Sequence, residues 1–416
     1  MKTDFSLVLH CNMRYLLSKY FQGIGVKRLS DVEIKPQISN QHEFNGITAF
    51  KGILGTSRKT FKGHFIYLSD EEENIIEDYG NLTWYDAREN HPTRSEFRLY
   101  YTTNPIIEAA TVEDLILIGT IDEYNLVVII APKDSTSERQ LLWLFGLSEI
   151  GTRFIVKDLL NEDVELNFAG KYIIKSLGFD IPEEEQFFAD DLIYKFNTDF
   201  PSSTVFSSYA RSTFTNLVID DNPDITILAW LNREELLFKT LEKSIVEKKL
   251  DRGFGSGAEP VEDFIKFSLS VLNRRKVRAG LAFENHLSFL FDLENISYSH
   301  TATTERRNKP DFIFPGITQY RNISFDDDKL TMLGVKTTAK DRWRQILSEA
   351  DRLNIKHLVT LEPAISKNQT DEMNSQNVQL VVPQPILETY SPDQQRKIMN
   401  IGDFLRLVKD RQKAIS

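Results

Sequence analysis

Between residues 309 and 350 the apolar pattern changes period twice. Phe312-Ile313-Phe314 is a short unbroken apolar run of β-favouring residues, stopped by Pro315-Gly316. Leu330-Thr331-Met332-Leu333-Gly334-Val335 is a second run, closed by Lys336. Trp343, Ile346, Leu347 and Ala350 then recur at helical spacing. The pattern predicts two strands and an amphipathic helix. Asp311 falls at the start of the first strand, Lys336 at the end of the second, and Glu349 inside the helix.

Upstream, residues 1–178 read as mostly β. Strand-like runs occupy 47–50, 64–68, 97–102, 115–121 and 125–130, separated by charged or Gly/Asn-containing turns. Many short strands predict a barrel or sandwich, preceded by a helix over 7–20. From 176 to 207 the chain turns acidic and loop-like, with Ile181-Pro182-Glu183-Glu184-Glu185 and then Phe200-Pro201-Ser202-Ser203, and reads as an interdomain linker. A helix follows over 225–246. Two more, 261–272 and 279–293, are expected on either side of Asn273-Arg274-Arg275-Lys276-Val277-Arg278. Arg252-Gly253-Phe254-Gly255-Ser256-Gly257 lacks the Gly-Lys-Ser/Thr of a phosphate loop and reads as a hinge. The tail offers strands at 356–361 and 378–383 and a closing helix at 401–408.

A chain of 416 residues supports two or three domains. Its 41% hydrophobic and 27% charged content is that of a globular protein. No apolar run reaches the ~18 residues of a membrane span, and the start lacks a signal peptide's layout. Cys11 is the sole cysteine, so an internal disulfide or cysteine metal cluster is excluded and a reducing cytoplasm is expected. A net charge of −11 argues, as a total, against nucleic acid as a partner. Placement qualifies this. Residues 273–278 carry four positive charges and no acid, while the acids cluster elsewhere. Only charges facing a nucleic-acid backbone release counterions.

Asp311, Lys336 and Glu349 can serve phosphodiester chemistry. Magnesium takes one or two protein carboxylates and fills its shell with water and phosphate oxygens. Such a cation polarises the phosphate and acidifies the attacking water, and a lysine can steady the developing charge. The alternative is a buried Asp–Lys ion pair beside an ordinary glutamate. Glu284 lies on a largely apolar helix, where a carboxylate needs a partner, either an arginine or a metal. Asp326-Asp327-Asp328 reads as a solvated turn. Arg94, Glu96 and Arg98 alternate, so on a strand they share a face. That face can carry cross-strand salt bridges, or it can address guanine and cytosine in a major groove.

Pro310-Asp311 and Lys336 resemble the PD-(D/E)XK nuclease superfamily, with one departure. The acid usually two residues before the lysine falls at Gly334, and Glu349 fits the position of enzymes that carry it on the following helix. The wording Lys-Pro-Asp-Phe (309–312), Val-Lys-Thr-Thr (335–338), Lys-Asp-Arg-Trp-Arg-Gln-Ile-Leu (340–347) and Glu-Ala-Asp (349–351) is similar to that of the EcoRII-type restriction endonucleases. Lys-Arg-Leu-Ser (27–30), His42 and Thr-Arg-Ser-Glu-Phe-Arg (93–98) extend the resemblance over most of the chain.

The resemblance implies a β-pseudobarrel over 1–178 of the kind found in plant transcription factors, a linker over 179–207, and an α/β/α restriction-endonuclease-like domain with a mixed sheet over 208–416. It implies Mg2+-dependent double-strand cleavage at a short, near-palindromic site by a cytoplasmic prokaryotic homodimer. Asp311 and Glu349 would hold the metal with Glu284 as helper, and Lys336 would assist the water. Lys340, Asp341 and Arg342 would read outer CC and GG, possible first contacts of a helix entering the major groove. His42, Arg94, Glu96 and Arg98 would bind a second copy of the site as effector. Phe97 and Pro92 stand where the family has basic residues, and Glu43 follows His42. Tyr320 matches a family tyrosine and is a packing or a catalytic residue. The other readings on the same residues are a structure-specific or repair nuclease and a DNA-binding regulator with a silent nuclease.

Overall fold

The computed structural model describes residues 15–34, 42–44, 48–71, 74–181, 189–196, 200–214, 216, 221–254, 260–340 and 342–414. The chain forms two compact units, Met1–Asp180 and Ile181–Ser416.

The first unit carries strands β1 (Gly23–Arg28), β2 (Glu43–Phe44), β3 (Lys59–Tyr67), β4 (Ile76–Asp86), β5 (Phe97–Tyr101), β6 (Leu115–Thr120), β7 (Asn125–Ala131) and β8 (Ile155–Asp158). Helices α1 (Asp31–Ile34), α2 (Lys51–Leu54), α3 (Pro105–Ala109), α4 (Thr136–Leu144) and α5 (Phe168–Ser176) accompany them. The strands form one sheet in the order β2-β5-β4-β3-β7-β6-β1-β8, antiparallel except for the parallel pair β3–β7. A single apolar cluster draws Phe44 from one edge strand and packs Val156 from the other, around Phe65, Trp84, Leu99 and Ile118. The sheet therefore curls about one core, which accounts for the closely spaced apolar runs in the sequence.

Two expectations fail here. Residues 48–50 form a 3₁₀ turn leading into α2, not a strand. The ring of Phe50 occupies the space over Gly25 that any side chain there would take, so a one-residue contact replaces an extended pairing. The helix expected at 7–20 lies partly outside the described residues, and its end is only a 3₁₀ turn, Leu17–Lys19.

The second unit carries α6 (Ala189–Phe196), α7 (Ser203–Ser212), α8 (Pro223–Arg252), α9 (Pro260–Leu293), α10 (Ile317–Arg321), α11 (Lys367–Ser375), α12 (Gln384–Leu387), α13 (Pro392–Gln395) and α14 (Ile401–Lys413). Strands β9 (Ser299–His300), β10 (Phe312–Phe314), β11 (Thr331–Lys336), β12 (Lys356–Thr360) and β13 (Val378–Val381) form a mixed sheet in the order β13-β12-β11-β10-β9. β10 is antiparallel to β9 and β11, while β11, β12 and β13 run parallel. Phe291 of α9 meets Phe312, Phe314 and Tyr298 edge-on at 5.1–5.6 Å, and Phe404 of α14 packs on Phe314. This aromatic cluster seats α9 against the strand that follows Asp311.

The stretch expected to be loop-like carries two helices. Leu192, Phe206 and Ala210 bury against Leu237, Phe238 and Leu241 of α8. The two helices expected at 261–272 and 279–293 are one, α9. Residues 274–278 contain no breaker, arginine and lysine are good helix formers, and the basic run is anchored on α8. Arg275 Nε bonds both oxygens of Glu242 at 2.8 Å, and Arg278 lies 3.7 Å from buried Glu234. No described helix is long and apolar enough to cross a membrane.

Candidate active site

Asp311 stands just before β10 and Lys336 at the end of β11, where the antiparallel register of Phe312 with Leu333 brings them side by side. Asp311 Oδ2 accepts from the Val335 backbone N–H at 2.6 Å and from Lys336 Nζ at 3.4 Å. Both side chains are 15% exposed.

Gly334 leaves room for the third group. A Cβ there would lie 2.7 Å from Cγ2 of Ile346, which is fully buried. A carboxylate two residues before the lysine would displace Ile346, so the acid must enter from elsewhere. It enters from residues 342–349. Arg342–Ser348 is a 3₁₀ helix rather than the expected α-helix. Trp343 and Ile346, three apart, bury on its inner side, in keeping with the threefold period of that geometry. Glu349 lies just past its end, not inside it, and its N–H bonds Ile346 O at 3.0 Å. Buried Lys356 donates to the carbonyls of Glu349, Ala350 and Leu353 at 2.6, 3.1 and 3.2 Å. It thus closes off carbonyls at the end of the turn. Ala350 adopts φ +50°, a left-handed conformation that a non-glycine residue holds only where its surroundings fix it.

The electrostatics of this group are unbalanced. Burial, then the neighbouring Asp311 charge, push the Glu349 carboxyl up to about 7, against the pull of Lys336 and Lys356. Its Oε2 is buried without a hydrogen-bond partner. Burial also raises Asp311, opposed by Lys336 and the Val335 N–H and reinforced by the Glu284 charge. Two carboxylates that resist ionisation together, one with an orphaned oxygen, fit a hard divalent cation that would satisfy both.

Glu284 contributes charge to this group, but its Oε2 is engaged by His300 Nε2 at 2.9 Å. Among the described residues no three acidic, histidine or cysteine side chains gather closely enough to hold a metal ion. The structure thus brings Asp311, Lys336 and Glu349 together, with Glu284 at the margin. Buried Tyr320 is turned to other partners. Its hydroxyl donates to Glu305 and accepts from the Arg352 N–H at 3.3 Å, and burial and Glu305 raise its pKa. Arg352 also reaches Asp327 in the acidic turn, whose three aspartates are exposed.

Of the expected base-reading triplet, Asp341 lies outside the described residues. Arg342 is exposed and Lys340 half-buried with φ +26°. Fully buried Glu362 fixes this corner, accepting from the N–H groups of Ala339 and Lys340 at 2.6 and 2.9 Å. Arg344, farther along the same turn, is held by Glu372 at 2.8 Å. Sequence reasoning missed Glu362 and Lys356. Their only signal was a charged residue at each end of the buried run at 356–362.

In the first unit the expected comb is not a strand face. β5 begins at Phe97, so Arg94 and Glu96 lie in the turn before it and only Arg98 is on the strand. Arg98 donates to Glu43 at 2.7 Å and to Glu96 at 2.8 Å, and Arg88 takes the other oxygen of Glu96 at 2.6 Å. Glu43 also receives the Tyr85 hydroxyl. Glu96, then Glu43, raise the Arg98 pKa, while Arg98 and Arg88 lower that of Glu96. Exposed His42 meets Thr103 Oγ1 at 3.3 Å and adopts φ +32°.

Residues 238–405 match the family described as EcoRII C terminal. Over 207 residues the chain is 40% identical to the type II restriction enzyme EcoRII of Escherichia coli, covering 50% of each protein. It therefore matches about half the length of that curated relative, where the motifs alone had suggested most of the chain. Solved structures that resemble it are metal-depleted Ecl18kI in complex with uncleaved, modified DNA and a complex of the restriction endonuclease PspGI with substrate DNA. The first has a TM-score of 0.43 at 17% identity, over 56% of this chain and 87% of that one. The second has a TM-score of 0.44 at 17% identity, over 52% and 94%. The Asp311, Lys336 and Glu349 group falls inside the matched residues 238–405.

Proposed function

We propose that the protein is a type II restriction endonuclease of the EcoRII kind, hydrolysing both strands of a short, near-palindromic DNA site in the cytoplasm of a prokaryotic cell. The observation that carries this reading is the convergence of Asp311, Lys336 and Glu349, with the Glu349 carboxyl held near neutrality and one oxygen unpartnered. Asp311 and Glu349 would hold the divalent cation, Mg2+ by the chemistry of their oxygens, with Glu284 adding negative charge. The bound cation would polarise the phosphate and acidify a water.

The chain's own residues do the rest. The Val335 N–H and Lys336 orient Asp311. Lys356 fixes the turn that presents Glu349. The Lys336 ammonium, beside both carboxylates, steadies the attacking water and the charge that builds on the phosphate. Tyr320, occupied by Glu305, takes the packing role. Lys340, Asp341 and Arg342 read outer CC and GG, and Glu362 presets the backbone before them. Residues 208–416 form the catalytic domain together with α6 and α7, which pack on α8 and leave little of 179–207 as a linker. Residues 1–178 form the pseudobarrel, which would bind a second copy of the site through His42, Arg94, Glu96 and Arg98. The ion pairs of Arg98 and Glu96 would have to open for that. A two-fold target calls for a homodimer.

The test is digestion of phage and plasmid DNA of known sequence with Mg2+, followed by end sequencing. Discrete ends flanked by CC and GG are expected, and a short duplex bearing the site should stimulate cutting of a one-site plasmid. Random nicks would point instead to a repair nuclease. Salt-sensitive specific binding without cleavage would point to a regulator.

A further inference from the structure

Between β9 and Asp311 the chain makes a loop, residues 301–309, whose backbone is held where residues with side chains seldom stay. Thr301, Arg306 and Arg307 adopt φ of +49°, +54° and +64°. Such a conformation persists only where its surroundings over-determine it, and it clusters at functional sites. Here the surroundings are bonds to the active-site elements. The Thr301 N–H donates to the Asp311 carbonyl at 2.9 Å, and the Thr304 N–H to the Asn308 carbonyl at 2.9 Å. Arg321 holds the Thr303 carbonyl at 2.8 Å, and the Tyr320 hydroxyl holds Glu305 at 2.7 and 2.8 Å. The Asn308 side-chain amide donates to the carbonyl of Ser348, the residue before Glu349. The loop is thus tied at one end to Asp311 and at the other to the turn that presents Glu349.

These ties leave a basic edge. Glu305, the loop's only acid, is engaged by Tyr320. Arg306, Arg307 and Lys309 are exposed. Arg307 and Lys309 have no ion-pair partner among the described residues, and the 77% exposed Arg306 side chain meets Asp351 at 3.4 Å. Arg344 and Arg352, by contrast, are taken by Glu372 and Asp327. Stability does not explain the edge, because an exposed pair such as Arg306 with Asp351 contributes little. A polyanion does. In a chain of net charge −11, the cations that face a nucleic-acid backbone are the ones that release counterions.

We propose that Arg306, Arg307 and Lys309 form a clamp for DNA backbone phosphates next to the one to be cut. The tie from Asn308 to Ser348 keeps the gripped backbone in register with Glu349. The clamp reads no base, since phosphate contacts position a duplex and carry no sequence information. It deepens the nuclease reading and rests on it for the phosphate that lies between Asp311 and Glu349.

The test is single-turnover cleavage of plasmid DNA with Mg2+ and the full chain in excess, repeated between 50 and 200 mM salt. Cleavage reports only DNA lying in the catalytic site. The double variant Arg306→Ala/Arg307→Ala keeps a Cβ at both left-handed positions and so leaves the backbone strain as it was. Its half-saturating protein concentration should rise about tenfold, and the slope of its logarithm against log salt should fall by about 2, one for each lost phosphate contact. Arg306→Lys/Arg307→Lys should recover most of the slope, because a point charge also serves a phosphate. A wild-type slope in the alanine variant overturns the clamp. Lysine variants as poor as the alanine ones also overturn it, since the loop would then act through its shape. A wild type that binds but does not cut removes the nuclease reading instead, and the same slope comparison by anisotropy of a labelled duplex then decides whether the loop contacts phosphate.

Discussion

The two units hold their charged residues in opposite ways. In the first, Arg98, Glu96, Arg88 and Glu43 satisfy one another, near the surface and with short bonds. Glu96 is shifted down by its arginines, as a stabilised carboxylate should be. In the second, Asp311 and Glu349 are buried beside each other, both shifted up, one with an oxygen that bonds nothing. The first arrangement is complete as it stands. The second leaves a buried carboxylate oxygen that a divalent cation would satisfy. An alternating comb in a sequence does not distinguish the two cases, but burial and unmet bonding do.

The sharpest way to break this contrast is at Asp311. Asp311→Ala should lower DNA cleavage by about 10³-fold or more with the fold retained, as followed by circular dichroism alongside single-turnover cleavage. An equally active variant would remove the site. A second test uses proton linkage. The Glu349 carboxyl is raised from its ordinary value to about 7, so its contribution to stability is full below about 4.5 and is lost as pH rises through about 7. In chelator, Glu349→Gln should therefore gain on the wild type by several degrees in Tm between pH 5 and pH 8. Added Mg2+ should stabilise the wild type and not the variant.

His357 provides a control of opposite sign. Burial, then Arg411, lower it to about 4. Its contribution is present above about 6.5 and is lost as pH falls toward 4. His357→Gln should flatten the stability profile between those values, measured by urea unfolding, and leave the pH 5 to 8 change of Glu349 in place. The smallest effect belongs to the first unit. Glu96→Gln removes exposed ion pairs and should cost less than about 1 kcal/mol. A larger loss would make the network a structural requirement rather than a surface adjustment.

Much of the second unit was legible beforehand because its longer strands are short, largely apolar runs bounded by clear stops, as at Phe312-Ile313-Phe314 before Pro315. Asp311 and Lys336 were legible because they flank those strands. Three features were not. Trp343 and Ile346 fit a three-residue period as well as a 3.6-residue one, so the 3₁₀ helix passed for an α-helix. Gly334 showed only that an acid was missing there; the reason is Ile346, distant by twelve positions and decided by packing. Lys356 and Glu362 act on backbone groups, which no side-chain motif records. In the first unit the arginine and glutamate spacing predicted a strand that starts too late to carry it, because the turn before β5 is held by Asp86 and His91.

The most direct test of the central claim is single-turnover cleavage of DNA carrying a mapped site, with Mg2+, by the wild type and by Lys336→Ala at equal DNA occupancy. The account predicts discrete double-strand ends from the wild type and none from the variant while both bind. A Lys336→Ala protein that cuts at the wild-type rate would contradict it.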